Sequence, residues 1–431
     1  MEKINSNGYS DQVDSKSKLD SVHSIQIHRS RVSPLSRDAS NQNFRGFFNL
    51  SILLLAVSNF RLMLGNFLRF GFLVGFPTIS IHERDILWSL TNIFLQIGPI
   101  VFTYLLEWNL VKQSFKSSNN RILSNYLQIL NIMISFTVSC FISYFKIWHP
   151  LASVAPLLSS IVLSLKLTSY SFVNSELWYY AKTVELAKKN DIPVTVSLPY
   201  PANISLYNLV YFIIAPTLCY QPIYPKTERI STTFLLKRLC ELFISVLGMY
   251  FLAVQYLMPV LEDCIREMDD SRHIHLVERI LKLSIVSVGI WLLGFYAIFH
   301  SWLNFLAELL QFGDREFYKA WWNAKDISEY WRLWNAPVHH WCKRHVFRPL
   351  ISYYKVNPMI AVFCVFTVSA ILHEVLVGIP THNLNGFAFW GMMLQIPLIV
   401  GTYVVNKIRA KFFGSHTDSF FDTIGKYLSV F

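Results

Sequence analysis

The sequence predicts an all-α polytopic membrane protein with eight or nine transmembrane helices. Only 15% of its 431 residues are charged, whereas a soluble domain carries about a quarter. Hydrophobic residues make up 53% of the chain, and the mean hydropathy is +0.36. Several apolar runs reach the ~20 residues that a helix needs to cross a bilayer. The composition therefore excludes a cytosolic enzyme, a disordered chain and a secreted disulfide scaffold.

Eight apolar runs are long enough to span the membrane. They cover residues 47–64, 86–106, 123–145, 151–173, 234–261, 281–310, 359–379 and 387–405. A ninth stretch, 206–219, is shorter and lies among prolines, so we expect it to be re-entrant or interfacial. Residues 176–201 are expected to form a polar linker that ends in an extended proline segment.

The two ends of the chain differ from this apolar core. Residues 1–45 contain ten serines within the first 40 positions and no apolar segment of the kind found in signal peptides. This composition predicts a disordered cytosolic tail. The tail is either a spacer or has a role in self-association or regulation. The core is expected to occupy residues 46–413, and residues 414–431 a short C-terminal tail.

Residues 312–349 form an unusual loop. Its part from 313 onward holds five of the chain's twelve tryptophans, and seven Lys or Arg against four acidic residues. Asp326 and Glu329 resemble a helix-capping pair, and one face of the helix that follows would carry Ile327, Tyr330, Trp331 and Trp334. A Trp-rich and basic amphipathic helix is typical of the membrane interface. From the pattern alone, the loop is either a surface anchor or a site for an anionic ligand.

Six ionisable side chains lie in or beside the apolar runs, where they are costly. They are Arg61, Glu107, His300, Glu308, His373 and Glu374. Arg61 and Glu107 lie near run ends and are expected to reach the interface. His373 lies well inside its run, where a neutral imidazole suits a general base acting on a hydroxyl. The alternative is a buried histidine that is bonded across helices.

Other chemistries lack support in the sequence. His373-Glu374 does not begin an HExxH zinc motif, because residue 377 is valine. The spacing of His339, His340, Cys342 and His345 matches no tight metal pattern, so no metal is expected. The six cysteines include no CxxC pair, and no Walker, GxSxG or dinucleotide-binding motif occurs.

Several segments together resemble one enzyme family. FGDREFYKAWWN (312–323) is similar to the FYxDWWN signature of the sterol- and diacylglycerol-acylating branch of the membrane-bound O-acyltransferases. WNAPVHHWCKRH (334–345) and SAILHEVLVGIP (369–380) look like the diacylglycerol O-acyltransferases of type 1 within that branch. The stretches at 215–230 and 387–398 agree, and the resemblance runs from about residue 43 to about residue 412.

The resemblance implies a helical bundle with a tunnel inside the bilayer, in the endoplasmic reticulum membrane. It implies transfer of a fatty acyl group from acyl-CoA to diacylglycerol, with acyl-CoA as a substrate and no cofactor. A thioester is already activated, so this chemistry needs a base and charge stabilisation but no enzyme nucleophile. A homo-oligomer, dimer or tetramer, formed through the N-terminal region is also expected, and no nucleic acid partner.

The family's functional residues fall on named positions of this chain. His373 matches the catalytic base, and Asn335 matches an asparagine whose amide can donate to the thioester carbonyl. Gln395 matches a polar residue of the acceptor pocket, and Glu374 is expected to position substrate. The acyl-CoA site would include Tyr318, Trp321, Trp322, Asn323, Trp334 and His339.

Three departures from the family pattern leave alternatives open. Ala320 stands where the signature has aspartate, few basic residues precede the helix of His373, and residues 424–431 are expected to stop where the family's last helix begins. The first alternative is an acyltransferase for another lipid alcohol, such as a sterol or retinol. The second is a degenerate partner or regulator of an active acyltransferase. A transporter is weaker, because no inverted repeat is visible.

Overall fold

The computed structural model describes residues 46–47, 49–50, 67–75, 81–113, 118–189, 199–269 and 273–413. Within these residues, seven helical segments are long and apolar enough to cross a membrane. They are Glu83–Lys112, Ser118–Lys146, Pro150–Leu186, Thr232–Ile265, Ile280–Leu309, Pro358–Gly378 and Phe387–Asn406. Seven of the eight predicted runs are thereby confirmed. The eighth, 47–64, falls mostly outside the described residues, as do both predicted tails.

Fifteen α-helices account for most of the described chain, and three π-helical turns interrupt them at Ala253–Leu257, Tyr296–Trp302 and Lys343–Phe347. The helices are α1 (Glu83–Leu95), α2 (Ile97–Lys112), α3 (Ser118–Lys146), α4 (Pro150–Lys189), α5 (Leu206–Ile214), α6 (Thr232–Leu252), α7 (Met258–Asp269), α8 (His273–Phe295), α9 (Leu303–Leu309), α10 (Ile327–Leu333), α11 (Ala336–Cys342), α12 (Arg348–Ser352), α13 (Pro358–Gly378), α14 (Phe387–Met393) and α15 (Gln395–Phe413).

The predictions for the two connecting segments had different outcomes. The 206–219 stretch forms only the nine-residue helix α5 and is too short to be a span, as predicted. The prediction of a polar linker is wrong for residues 176–189, because α4 continues through them. That part of the sequence contains no glycine or proline and is rich in helix formers, so nothing in it ends the helix.

The chain divides into two compact units. Of the described residues, unit 1 comprises 81–113, 118–189, 199–224 and 337–400. In it, α4 packs against α1 and α3, α2 packs against α3, and α13 packs against α14, α4 and the π-turn Lys343–Phe347. Unit 2 contains the described residues 46–47, 49–50, 67–75, 225–269, 273–336 and 401–413. In it, α6 packs against α8, α9 and the π-turn Tyr296–Trp302.

Glu107 does not reach the interface as predicted. Its carboxylate and the Arg121 guanidinium are both fully buried in unit 1 and lie 2.7 Å apart. The Gln128 amide donates to the other Glu107 oxygen at 2.7 Å, and Arg121 also donates to the Ser171 carbonyl at 3.2 Å. A buried carboxylate is tolerated when a cation and further donors satisfy it. Glu107 therefore holds α2, α3 and α4 together.

Candidate active site

His373 lies in the last turns of α13, and its hydrogen bonding determines its tautomer. Its Nδ1 lies 2.7 Å from the backbone carbonyl oxygen of Ser369, one turn earlier. A carbonyl can only accept, so Nδ1 carries the proton and Nε2 keeps its lone pair. Nε2 makes no hydrogen bond to any residue that the structure describes. The imidazole is thus arranged to accept a proton at Nε2.

His373 is not covered by the other residues that the structure describes. Its side chain is exposed, as is much of α13. The helix is buried only at its small residues Ala361, Ala370 and Gly378, where other elements can approach its backbone closely. His373 is therefore accessible to a ligand without a rearrangement of its own helix.

Glu374, the next residue, turns towards the start of α14. One carboxylate oxygen accepts the Gly386 N–H at 2.7 Å, and the other accepts those of Ala388 and Phe389 at 3.0 and 3.1 Å. The carboxylate thus caps α14 from a neighbouring helix, at the end where the helix dipole favours negative charge. This gives Glu374 a structural role, and its contact with substrate stays a prediction.

Gly378 allows this arrangement. A Cβ at this position would lie 2.7 Å from Leu384 Cδ2, 3.1 Å from the Asn383 carbonyl and 3.2 Å from a Glu374 oxygen. The turn that follows is also anchored, since His382 bonds to the Tyr144 carbonyl at 2.8 Å and stacks on Trp148. The connection between α13 and α14 is therefore closely packed around the glutamate.

Two further predicted residues lie in unit 1. Gln395 begins α15, and its amide donates only to the Gly391 carbonyl at 3.3 Å, so its acceptor oxygen has no partner among the described residues. His339 lies on α11, half-buried, with its ring 6.0 Å from that of His340. The contact of Gln395 and His339 with substrate stays a prediction.

The FYKAWWN segment lies in unit 2 and is fixed through Tyr318. The Tyr318 hydroxyl lies 2.7 Å from His300 Nδ1, and Arg238 contacts the other ring nitrogen. Because Arg238 can only donate, Nε2 of His300 accepts and its Nδ1–H donates to the tyrosine oxygen. Glu241 extends this hydrogen-bond network through an ion pair with Arg238 at 2.9 Å. The sequence did not predict this role for His300.

The tryptophans of this segment form a buried aromatic cluster. Trp321 is fully buried, and its ring centroid lies 5.2 Å from Phe295 and 5.7 Å from Trp291. Trp322 is also buried, and Trp334 stacks on Tyr330 with an interplanar angle of 5°. These rings hold the loop together, and their predicted contact with acyl-CoA stays a prediction.

Helix α10 begins as predicted. Asp326 Oδ1 accepts the Glu329 N–H at 2.7 Å, and Glu329 accepts the Lys325 N–H at 2.8 Å. The helix is short and ends at Leu333. Asn335 follows it, between α10 and α11, and is half-buried.

Asn323 and Ala320 belong to the same turn. Ala320 is the position at which the sequence departs from the family signature. Trp321–Asn323 is a single 3₁₀ turn, Ala320 is its N-cap residue, and no side chain caps it. The backbone of Gly46 approaches the same turn, since a Cβ there would overlap the Asn323 side chain and the Trp322 carbonyl oxygen. The turn is therefore held by a close backbone contact and lacks a side-chain cap.

A family comparison now adds to this geometry. The sequence model of the membrane-bound O-acyltransferase (MBOAT) family matches residues 121–412, which make up more than half of the chain. The chain belongs to this family. Diacylglycerol O-acyltransferase 1A of Glycine max is 37% identical over 401 residues, which are 91% of this chain and 78% of that protein.

Other members of the family are similarly close. Human diacylglycerol O-acyltransferase 1 is 35% identical over 385 residues, covering 87% of this chain and 77% of its own length. The Arabidopsis thaliana protein of the same name is 35% identical over 396 residues, covering 90% and 72%. The family membership and the helical membrane architecture predicted from the sequence are both confirmed.

Proposed function

We propose that this enzyme transfers a fatty acyl group from acyl-CoA to the free hydroxyl of diacylglycerol, which yields triacylglycerol and CoA. The observation that carries the proposal is His373 on a membrane helix, with Nδ1–H held by Ser369 and Nε2 unpaired among the described residues. The similarity over most of the chain to proteins named diacylglycerol O-acyltransferase supports the choice of acceptor.

The reaction requires one base and no covalent intermediate. Nε2 of His373 accepts the hydroxyl proton as the alcohol oxygen attacks the thioester carbonyl. The tetrahedral intermediate then collapses, the carbon–sulfur bond breaks, and the CoA sulfur takes the proton back from the imidazolium. The bond from Nδ1 to the Ser369 carbonyl strengthens when the ring becomes charged, so it favours the protonated intermediate.

The remaining roles are proposals that rest on the family resemblance. Asn335 donates its amide to the oxyanion of the intermediate, and Gln395 binds the acceptor alcohol. The loop with Tyr318, Trp321, Trp322, Asn323 and Trp334, together with His339, forms the acyl-CoA site. Glu374 fixes α14 beside the base.

We also propose the endoplasmic reticulum as the membrane in which the enzyme works, and a dimer or tetramer formed through the N-terminal region. Acyl-CoA acts as a substrate, and we expect no metal or bound cofactor. These statements follow from the resemblance and are tested by microscopy of a tagged chain and by mass measurement in detergent.

The function is tested in membranes that lack endogenous triacylglycerol synthesis. We expect labelled acyl-CoA and diacylglycerol to give triacylglycerol with the wild-type chain and at least a hundredfold less with His373→Ala, since general bases contribute ~10²–10⁴-fold. Sterol and retinol, supplied in parallel, report on the other acceptors. A His373→Ala variant as active as the wild type would refute the assigned base.

One observation favours the second candidate, a degenerate partner of an active acyltransferase. Ala320 replaces the signature's aspartate at the cap of the 3₁₀ turn. This candidate predicts no product with any acceptor from the wild-type chain alone, and product when an active relative is present. Activity that appears only with Ala320→Asp would also favour it.

A further inference from the structure

One hydroxyl of α4 joins two segments that are distant in sequence. Ser169 Oγ accepts the backbone N–H of Tyr220 at 2.8 Å, and it lies 2.8 Å from Nε2 of His345. Ser169 is completely buried and His345 nearly so. A buried hydroxyl with both partners in place is costly to disrupt, because each partner loses its hydrogen bond without gaining water.

The backbone of Tyr220 is also held on its carbonyl side. Its carbonyl accepts a hydrogen bond from Arg344 Nη1 at 3.2 Å, and the Arg344 side chain is buried. One turn earlier, Trp341 Nε1 donates to the Leu165 carbonyl of α4 at 2.9 Å. Three side chains of the segment 341–345 thus bond to α4 or to the buried stretch that follows α5.

These three side chains lie on one face of the helical segment. Positions 341, 344 and 345 are spaced i, i+3 and i+4, so they share a side of the helix. His339 and Lys343 lie about half a turn away, and Lys343 is exposed. The bonds to Ser169 and Tyr220 therefore determine which way His339 faces.

We propose that Ser169 and His345 are positioning residues that hold α11 so that the face of His339 meets acyl-CoA. This rests on the proposed function, in which His339 belongs to the acyl-CoA site. Neither side chain touches the reacting atoms, so losing their bond lets α11 turn and weakens acyl-CoA binding. The hydrogen bond that orients the His373 ring comes from Ser369 within α13 and involves neither Ser169 nor His345, so kcat is expected to change less than KM.

The test compares Ser169→Ala with Ser164→Ala in the full-length enzyme. Ser164 lies on the same helix, and its hydroxyl donates only to its own helix, at the Ser160 carbonyl. We expect Ser169→Ala to raise the KM for acyl-CoA about tenfold, a loss of about 1.4 kcal/mol, with kcat changed less than threefold. Ser164→Ala should leave both near their wild-type values.

His345 gives an independent comparison. Glutamine places a polar group near the position of Nε2, whereas leucine has a similar size and no polar group. His345→Gln should keep the KM within about threefold, and His345→Leu should raise it as Ser169→Ala does. If Ser169→Ala fails to fold, the two His345 variants and Ser169→Thr carry the same comparison.

A binding measurement separates this proposal from the function itself. The dissociation constant of a non-hydrolysable thioether analogue of acyl-CoA is measured on folded protein in detergent micelles, alongside its thermal midpoint. Weaker binding by Ser169→Ala but not by Ser164→Ala supports the proposal. Unchanged binding and KM, with only a lower thermal midpoint, overturns it. Absence of triacylglycerol from the wild type, with analogue binding intact, instead overturns the proposed acceptor chemistry.

Discussion

Glu374 Oε1 lies 2.7 Å from the backbone nitrogen of Gly386, across the turn that joins α13 to α14. The residue beside the proposed base thus caps the next helix. Unit 1 repeats this device: Asp85 accepts the backbone N–H of His149 before α4, and Lys166 donates to the Ala215 carbonyl after α5. In each case the charge matches the sign of the helix end.

Glu374→Gln is expected to loosen the start of α14. The amide nitrogen cannot accept from Ala388 and Phe389, so bonds to a charged acceptor are lost, at a cost of about 1.5–3 kcal/mol. We expect a lower thermal midpoint and a large loss of kcat. Glu278→Gln is the control, because its side chain is 58% exposed and its ion pair with Lys282 lies within a single helix. An unaltered midpoint for Glu374→Gln would contradict the cap.

Ala320→Asp is expected to stabilise the 3₁₀ turn Trp321–Asn323. Aspartate at an N-cap accepts a backbone N–H of the turn, a gain of about 1 kcal/mol. Ala320 is half-buried, so the charge stays in contact with water. The thermal midpoint should rise and triacylglycerol formation should not fall. Ala320→Asn, an equally good cap without charge, should give the same stability. If both variants destabilise the protein, a capping side chain at position 320 does not stabilise this turn.

Arg121→Met is expected to destabilise unit 1 strongly. It leaves the Glu107 carboxylate buried without a cation, which typically costs about 3–5 kcal/mol. Combining it with Glu107→Gln removes the isolated charge and should recover part of this loss. A thermal-unfolding double-mutant cycle measures the coupling, and additive effects would show that the pair is not coupled.

Gly46→Ala is expected to disturb the FYKAWWN segment. The new Cβ would overlap the Trp322 carbonyl oxygen, so the backbone must move. We expect lower activity and a lower thermal midpoint. Gly75→Ala is the matched control, because a Cβ there meets nothing within 4 Å. Equal effects of the two substitutions would rule out the contact.

Cys219 and Cys342 are expected to resist alkylation. Burial raises the pKa of both thiols to about 12. The reactive thiolate forms only as the pH rises towards that value, so maleimide at pH 7.5 should leave both unmodified in the folded protein. Mass spectrometry of the labelled peptides checks this, with detergent-denatured protein as the positive control. Rapid labelling of either cysteine at pH 7.5 would contradict the raised pKa of its thiol.

Features that depend on residues close together in the chain could be predicted from the sequence. The apolar runs predicted seven described spans, because a bilayer demands a continuous length of apolar chain. The Asp326–Glu329 spacing predicted the start of α10, because a helix cap is local in sequence. The motifs around Trp321 and His373 indicated the family for the same reason.

Which polar groups contact one another is seen only in the folded chain. The bonds of Ser169 to Tyr220 and His345 join residues 51 and 176 positions apart, and no periodicity in one sequence encodes such pairs. Burial is likewise decided by neighbouring helices, so Glu107 lies inside with Arg121 whereas His373 is exposed. The direction in which a side chain faces depends on what packs against its helix, and that is a property of the folded chain.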